Sequence, residues 1–124
     1  EKLICNCTYS AVAALTGLTL AEIQASPHAW SLSSACALEA FNVARAKGIN
    51  LDFDDPVRYV REFGQKIPGA RPSMLLDHMA GRKAEIENIN GAIPREGGKL
   101  GVATPVNSTL VAALKAKEAG FERS

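Results

Sequence analysis

The chain carries no excess charge of either sign. Its 14 lysines and arginines stand against 13 aspartates and glutamates, for a formal net charge of +1. A nucleic-acid binder concentrates basic residues on one face, so no nucleic-acid partner is expected. Long hydrophobic runs are missing too: none approaches the ~20 apolar residues that span a bilayer. No leader-peptide pattern is present, and no membrane partner is expected. Cysteine is scarce and odd in number, with Cys5, Cys7 and Cys36 only. That argues against a secreted, disulfide-stapled protein. Cys5 and Cys7 have no second Cys/His pair to complete a zinc site, and residues two apart on a helix point to different faces. Buried free thiols in a cytoplasmic protein are the expectation.

Metal-ligand groupings are lacking as well. His28 and His78 stand alone, and His78 beside Asp77 reads as an exposed helix pair. Asp52, Asp54 and Asp55 lack the glycine and distal glutamate of a calcium loop, so capping is the stronger reading for them. No metal site is expected. Sustained period-two alternation, internal repeats and low-complexity tracts are all absent. What is present is 124 residues, 47% of them apolar, which fits one compact domain with a real core.

The apolar spacing is helical almost throughout. Leu3, Ile4, Cys7, Ala11, Ala14 and Leu15 predict a helix over residues 2–16, stopped by Gly17. Glu1 and Lys2 fall inside it with no methionine or cap residue ahead of them, so the sequence is expected to be part of a longer protein. Thr19-Leu-Ala-Glu22 is a capping box opening a short helix to about Ala25, ended by Ser26-Pro27. The longest helix is expected from Trp30 to Lys47, with Trp30 a packing anchor and Gly48 closing it. Asp54 or Asp55 caps the next, with Pro56 in its first turn and Val57, Val60 and Phe63 on its inner stripe. Residues 65–72 read as a loop. Ser73 opens a helix ending near Gly81. Glu85 begins another, reaching Glu96 and kinked or interrupted by Pro94, and Gly97, Gly98 and Gly101 then break the chain. Thr104-Pro105 starts a final helix to about Glu118 and reads as a helix start, not as a site. The expectation is an all-α bundle of six or seven helices.

Steps of four place Lys2, Asn6 and Ser10 along one side of the first helix. An ammonium, a carboxamide and a hydroxyl in a row could bind a small polyoxygenated anion, although on pattern alone a solvent-exposed polar face is the better reading. Ser73, between Pro72 and Met-Leu-Leu, suits a helix N-cap, and a helix start also offers N–H groups to an anion. Glu85 reads as an acidic residue favoured near a helix N-terminus.

Arg71-Pro-Ser-Met-Leu-Leu-Asp-His-Met, then Glu85, Asn90-Gly91 and Thr104-Pro-Val-Asn107, resemble in order and spacing the C-terminal domain of the ketopantoate reductase (2-dehydropantoate 2-reductase) family. Lys2-Leu-Ile-Cys-Asn6 resembles that family's lysine helix. The resemblance implies NADPH-dependent reduction of 2-dehydropantoate to (R)-pantoate, in the route to pantothenate and coenzyme A. It implies Lys2 as the catalytic general acid, Asn6, Ser10 and Ser73 as substrate-binding residues, and Glu85 beside the cofactor. The chemistry suits an ammonium, because hydride reaching a ketone carbon leaves negative charge on oxygen. The chain departs from the family at Ser10, Leu20 and Ala70, where asparagine is usual, and at Ala84, where threonine is. No G-x-G-x-x-G lies between a strand and a helix, so residues 1–124 are expected to be a single substrate-binding and dimerisation domain. An N-terminal Rossmann domain, absent from this sequence, would hold NADPH, and the active site would lie in the cleft between the two. A cytoplasmic homodimer is implied. The alternatives are a related reductase for a different 2-keto acid and a non-catalytic helical interaction module.

Overall fold

The computed structural model describes residues 2–121. Seven helices account for the described elements: α1 (Lys2–Thr16), α2 (Leu20–Ala25), α3 (Pro27–Ala46), α4 (Pro56–Lys66), α5 (Ser73–Met79), α6 (Ala92–Leu100) and α7 (Pro105–Phe121). Among the described residues there is no strand, as expected. The expectation that the first helix includes Glu1 falls outside the described residues.

α1 is the centre of the bundle. It packs against α2, α3, α4, α5 and α7, and from Ile4 to Ala14 every residue except Asn6 is buried. Small side chains make this possible. Cys7, Ala11, Ala13 and Ala14 let neighbouring helices approach from several directions, while Ile4, Tyr9 and Val12 fill the space between them. Thr8 and Thr16 stay helical by turning their hydroxyls back onto the carbonyls of Ile4 and Val12, each at 2.7 Å. The end residues Leu3 and Leu15 are half exposed, so the expected apolar stripe is wider in its middle and narrower at its tips.

Local signals set most boundaries. Thr19 and Glu22 form the reciprocal capping box of α2. Ser26 closes α2 and also caps α3, its hydroxyl accepting from the Ala29 amide, with Pro27 in the first helical position. α3 therefore begins earlier than Trp30, because Ser-Pro serves as a start as well as a stop. Of the two candidate caps for α4, Asp55 is the one used. Trp30 is half-buried, near the Tyr9 ring and under the Arg61 guanidinium, 5.0 Å from the ring centre.

The structure corrects the expectation between Glu85 and Gly101. Residues 86–91 form hydrogen-bonded turns, and no helix begins at Glu85. Helix α6 starts at Ala92, placing Pro94 in its first turn, where the missing N–H costs nothing. Pro94 thus helps to start a helix and does not kink one. Gly97 and Gly98 lie inside α6. A Cβ on Gly97 would sit 2.9 Å from Thr104 Cγ2 and from the Val102 carbonyl oxygen, so its glycine permits close packing. Gly101, at φ 72°, is the residue that ends the helix.

The start of α7 is held by a buried carboxylate. Glu39, on α3, accepts from the amides of Val106 and Asn107 at 2.8 and 2.9 Å, and from Asn107 Nδ2 at 2.9 Å. Asn107 Oδ1 in turn accepts from Asn90 Nδ2 at 2.8 Å, and the same Asn90 amide donates to the Cys7 carbonyl at 2.9 Å. One network thus ties α1, α3, the 86–91 turns and α7 together. Asn107 does mark a helix start, as expected, and it is also fully buried.

Candidate active site

Lys2 and Asn6 are exposed on α1, one turn apart, whereas Ser10 is buried. The three do not form the solvent-facing stripe that their spacing suggested, because α2 and the 67–72 segment close over the Ser10 end. Asn6 and Ser10 line one cavity of about 120 Å³, together with Tyr9, Leu20, Ala70 and Arg71. Cys5, Phe63, Ile67 and Pro72 complete its wall. Among its lining residues Asn6, Ile67 and Arg71 are exposed.

Hydrogen bonding separates this region from the Glu39–Asn107 network. The side chains of Lys2, Asn6, Ser10 and Ser73 make no hydrogen bond to any described residue. Thr8, two residues from Ser10 on the same helix, is satisfied by the Ile4 carbonyl. An amide and a hydroxyl facing a cavity without protein partners are free to meet a ligand's oxygen atoms. Tyr9, by contrast, is committed: its hydroxyl donates to the Val60 carbonyl at 2.6 Å and accepts from Gln24 Nε2 at 2.9 Å. It shapes the wall without offering a free polar group. A Cβ on Gly64 would collide with the Tyr9 hydroxyl and lie 2.9 Å from Tyr9 Cζ, so α4 can approach only through glycine.

Ser73 is the first residue of α5, and Pro72 occupies the capping position with no side-chain bond. The N-cap reading of Ser73 is therefore corrected, since a proline before it leaves its own hydroxyl inside the first turn, exposed and unengaged. Glu85 lies in an irregular segment before the 86–91 turns, not at a helix N-terminus as expected. Its carboxylate is exposed and accepts from Asn88 Nδ2 at 2.8 Å. Lys2, Ser73 and Glu85 all lie outside the lining of the Asn6–Ser10 cavity, although Pro72 brings the α5 start to its edge.

Arg71 and Tyr9 line the cavity without having been expected there; the one signal in the sequence was that Arg71 opens the Arg71-Pro-Ser-Met run. His78 is also corrected. It is buried, with Nε2 2.8 Å from Glu118 Oε2, and Asp77 pairs instead with Arg82 at 3.2 Å. Helix periodicity turns residue 78 inward and residue 77 outward.

The three cysteines are buried thiols outside any disulfide, as expected. Burial pushes the Cys7 thiol up to about 12, and burial together with the nearby Glu39 carboxylate raises that of Cys36. Such thiols stay protonated and unreactive. Among the described residues no group of three or more His, Cys, Asp or Glu could hold a metal ion, and no helix is long and apolar enough to cross a membrane. A second cavity of about 120 Å³, bordered by Leu3, Val43 and Ile93, has an apolar wall. Its Lys47 and Glu96 neutralise each other at 3.0 Å.

The family pattern described as "Ketopantoate reductase PanE/ApbA C terminal" matches residues 1–118. The chain belongs to the ketopantoate reductase family. Among curated relatives, the 2-dehydropantoate 2-reductase of Pyrobaculum aerophilum is 38% identical over 117 residues, covering 94% of this chain and 42% of the relative. The chain thus spans about two fifths of the length of the curated relatives it matches. Among solved structures, a PanE/ApbA family ketopantoate reductase from Ralstonia eutropha JMP134 superposes with a TM-score of 0.88 at 32% identity, covering 98% of this chain and 40% of that one. A D-mandelate dehydrogenase in complex with NADH and anilino(oxo)acetate superposes with a TM-score of 0.86 at 30% identity, covering 98% of this chain and 67% of that one. The all-α architecture expected from the sequence is that of the ketopantoate reductase C-terminal domain.

Proposed function

We propose that this chain is the substrate-binding half of an NADPH-dependent 2-dehydropantoate 2-reductase. The observation that carries the reading is the cavity on α1, where Asn6 and Ser10 present polar groups that no described residue satisfies. One turn beyond Asn6 stands the exposed ammonium of Lys2. In the reduction, the C2 carbonyl carbon of the oxo acid accepts a hydride and its oxygen accepts a proton. Lys2 stabilises the charge growing on that oxygen and supplies the proton. Asn6 and Ser10 donate to the substrate's oxygen atoms, and the free Ser73 hydroxyl holds its carboxylate end.

The nicotinamide cofactor supplies the hydride when bound. Among the described residues there is no strand, hence no strand–glycine turn–helix cradle for its pyrophosphate. What this chain offers such a group is the exposed carboxylate of Glu85, which suits a ribose hydroxyl. The nucleotide is accordingly assigned to a Rossmann domain elsewhere in the intact protein, with the reaction in the cleft between the two. The reading includes a cytoplasmic location and a homodimer. Leu76 and Met79, both well exposed on α5, give a second copy an apolar surface to cover.

A second reading, a reductase for a different 2-oxo acid, is favoured by the apolar part of the wall. Leu20, Phe63, Ile67 and Ala70 give a substrate hydroxyl no partner, and the D-mandelate dehydrogenase relative was solved with an aryl oxo acid derivative. Turnover of the intact protein with NADPH and a panel of 2-oxo acids decides between them. The first reading expects 2-dehydropantoate to give the highest kcat/KM. A much better apolar oxo acid would replace it with the second, and no reduction of any oxo acid would remove both. The isolated 124 residues are expected to show no turnover.

A further inference from the structure

The mechanism above makes no use of a buried ionisable pair at the far end of α5. His78 and Glu118 have side chains 1% and 9% exposed. Glu118 Oε2 accepts two hydrogen bonds, from His78 Nε2 at 2.8 Å and from the Ala84 amide at 2.7 Å. The His78 ring also meets Phe121 edge-on, with centroids 5.2 Å apart. His78 Nδ1 is buried and has no partner, so the proton belongs on Nε2, facing the carboxylate, and Nδ1 is left as a bare acceptor. An unpaired N–H there would cost more than an unpaired lone pair.

Burying a carboxylate is costly, and an apolar side chain of similar volume would stabilise a core as well or better. What the carboxylate does here that a leucine could not is join two segments. His78 is on the helix that begins with Ser73. Ala84 is the residue before Glu85, in a stretch of chain with no regular structure. One oxygen atom on α7 therefore fixes the α5 helix and the Glu85 segment to a common point.

We infer that Glu118 is a positioning residue, which holds the Glu85 segment in register with the Ser73 helix so that both meet the same bound pair of substrate and cofactor. The inference rests on the reading of Ser73 and Glu85 as substrate and cofactor contacts. Glu118 itself touches neither ligand.

The test uses the intact reductase and measures kcat, the KM for the oxo acid and the KM for the nucleotide, beside the melting temperature. Glu118→Leu removes the shared acceptor and is expected to raise both KM values about tenfold or more. Glu118→Asp keeps the charge but draws the carboxylate back by one methylene. It should raise both by about threefold or more, and it decides the question alone if the leucine variant does not fold. A purely structural role lowers kcat in proportion to the folded fraction and leaves both KM values where they were. KM values within about twofold of wild type in a folded variant would overturn the inference. Ser73→Ala and Glu85→Gln, measured in parallel, separate the two levels of the argument. If they leave both KM values unchanged, the site reading itself is what fails. If they raise them while the Glu118 variants do not, only the positioning role is lost.

Discussion

Two sets of polar side chains in this bundle lie within a few helical turns of each other and behave in opposite ways. Around Asn107, every side-chain donor of the Asn90–Asn107 pair is met by Glu39, by Cys36 or Cys7 carbonyls, or by the partner asparagine, while the acceptor Asn90 Oδ1 is buried without a partner. Around α1, the amide of Asn6, the hydroxyls of Ser10 and Ser73 and the amine of Lys2 are met by no described residue. Asn6 and Asn107 are the same residue type, each on a helix, and each belongs to a motif carrying the family likeness. The first is spare and the second is fully committed. Motif residues of one family thus divide into those that build the fold and those left available to a ligand, and hydrogen-bond accounting tells them apart.

The sharpest way to break this division is to attack the committed set. Glu39→Ala strands two backbone amides and the Asn107 side chain in the interior. It should destabilise the domain by about 3–5 kcal/mol, read from urea denaturation. A loss below about 1 kcal/mol would mean that the network is dispensable. Next in size is Gly64→Ala, which drives a methyl group against the Tyr9 ring and hydroxyl. A cost of about 1–3 kcal/mol is expected in the same assay, together with weaker oxo acid binding, since Tyr9 lines the cavity.

On the other side of the comparison, Asn6→Ala should change stability by no more than about 0.5 kcal/mol. In the intact reductase it should raise the oxo acid KM by about tenfold. A large stability loss with an unchanged KM would move Asn6 into the structural set. The smallest effect concerns acid. The Thr19 amide and hydroxyl hold the Glu22 carboxyl below its usual range. A depressed folded-state value means that the contribution is present above the unfolded value and is lost as pH falls through the folded one. Glu22→Gln should therefore lower the neutral-side plateau slightly and leave the acid limit nearly unchanged, which flattens part of the acid-side loss of thermal stability. An identical acid-side slope would show that the capping box carries no pH dependence.

The sequence was legible where a signal and its structural effect lie within a few residues. Thr19 with Glu22 and Asp55 with Pro56 each name a helix start, because capping is a contact across one turn. Pro94 was misjudged because a proline three residues into a helix and one in its middle look alike until the start is known. Gly97 was read as a breaker because the neighbour that requires it, Thr104, approaches from another part of the chain. The same limit applies to the site. Helical spacing aligns Lys2, Asn6 and Ser10 on one side of α1, and of these Asn6 and Ser10 share a cavity. The burial of Ser10 and the Glu118 carboxylate behind Ala84 depend on segments that only folding brings near. Arg71 escaped notice for the same reason.

The proposed reduction turns on the amine of Lys2. Replacing it in the intact reductase (Lys2→Ala) and measuring kcat, with the melting temperature and nucleotide KM as controls, tests it most directly. The expected result is a fall in kcat of about 100-fold or more, with both controls unchanged. A rate near that of the wild type would contradict it.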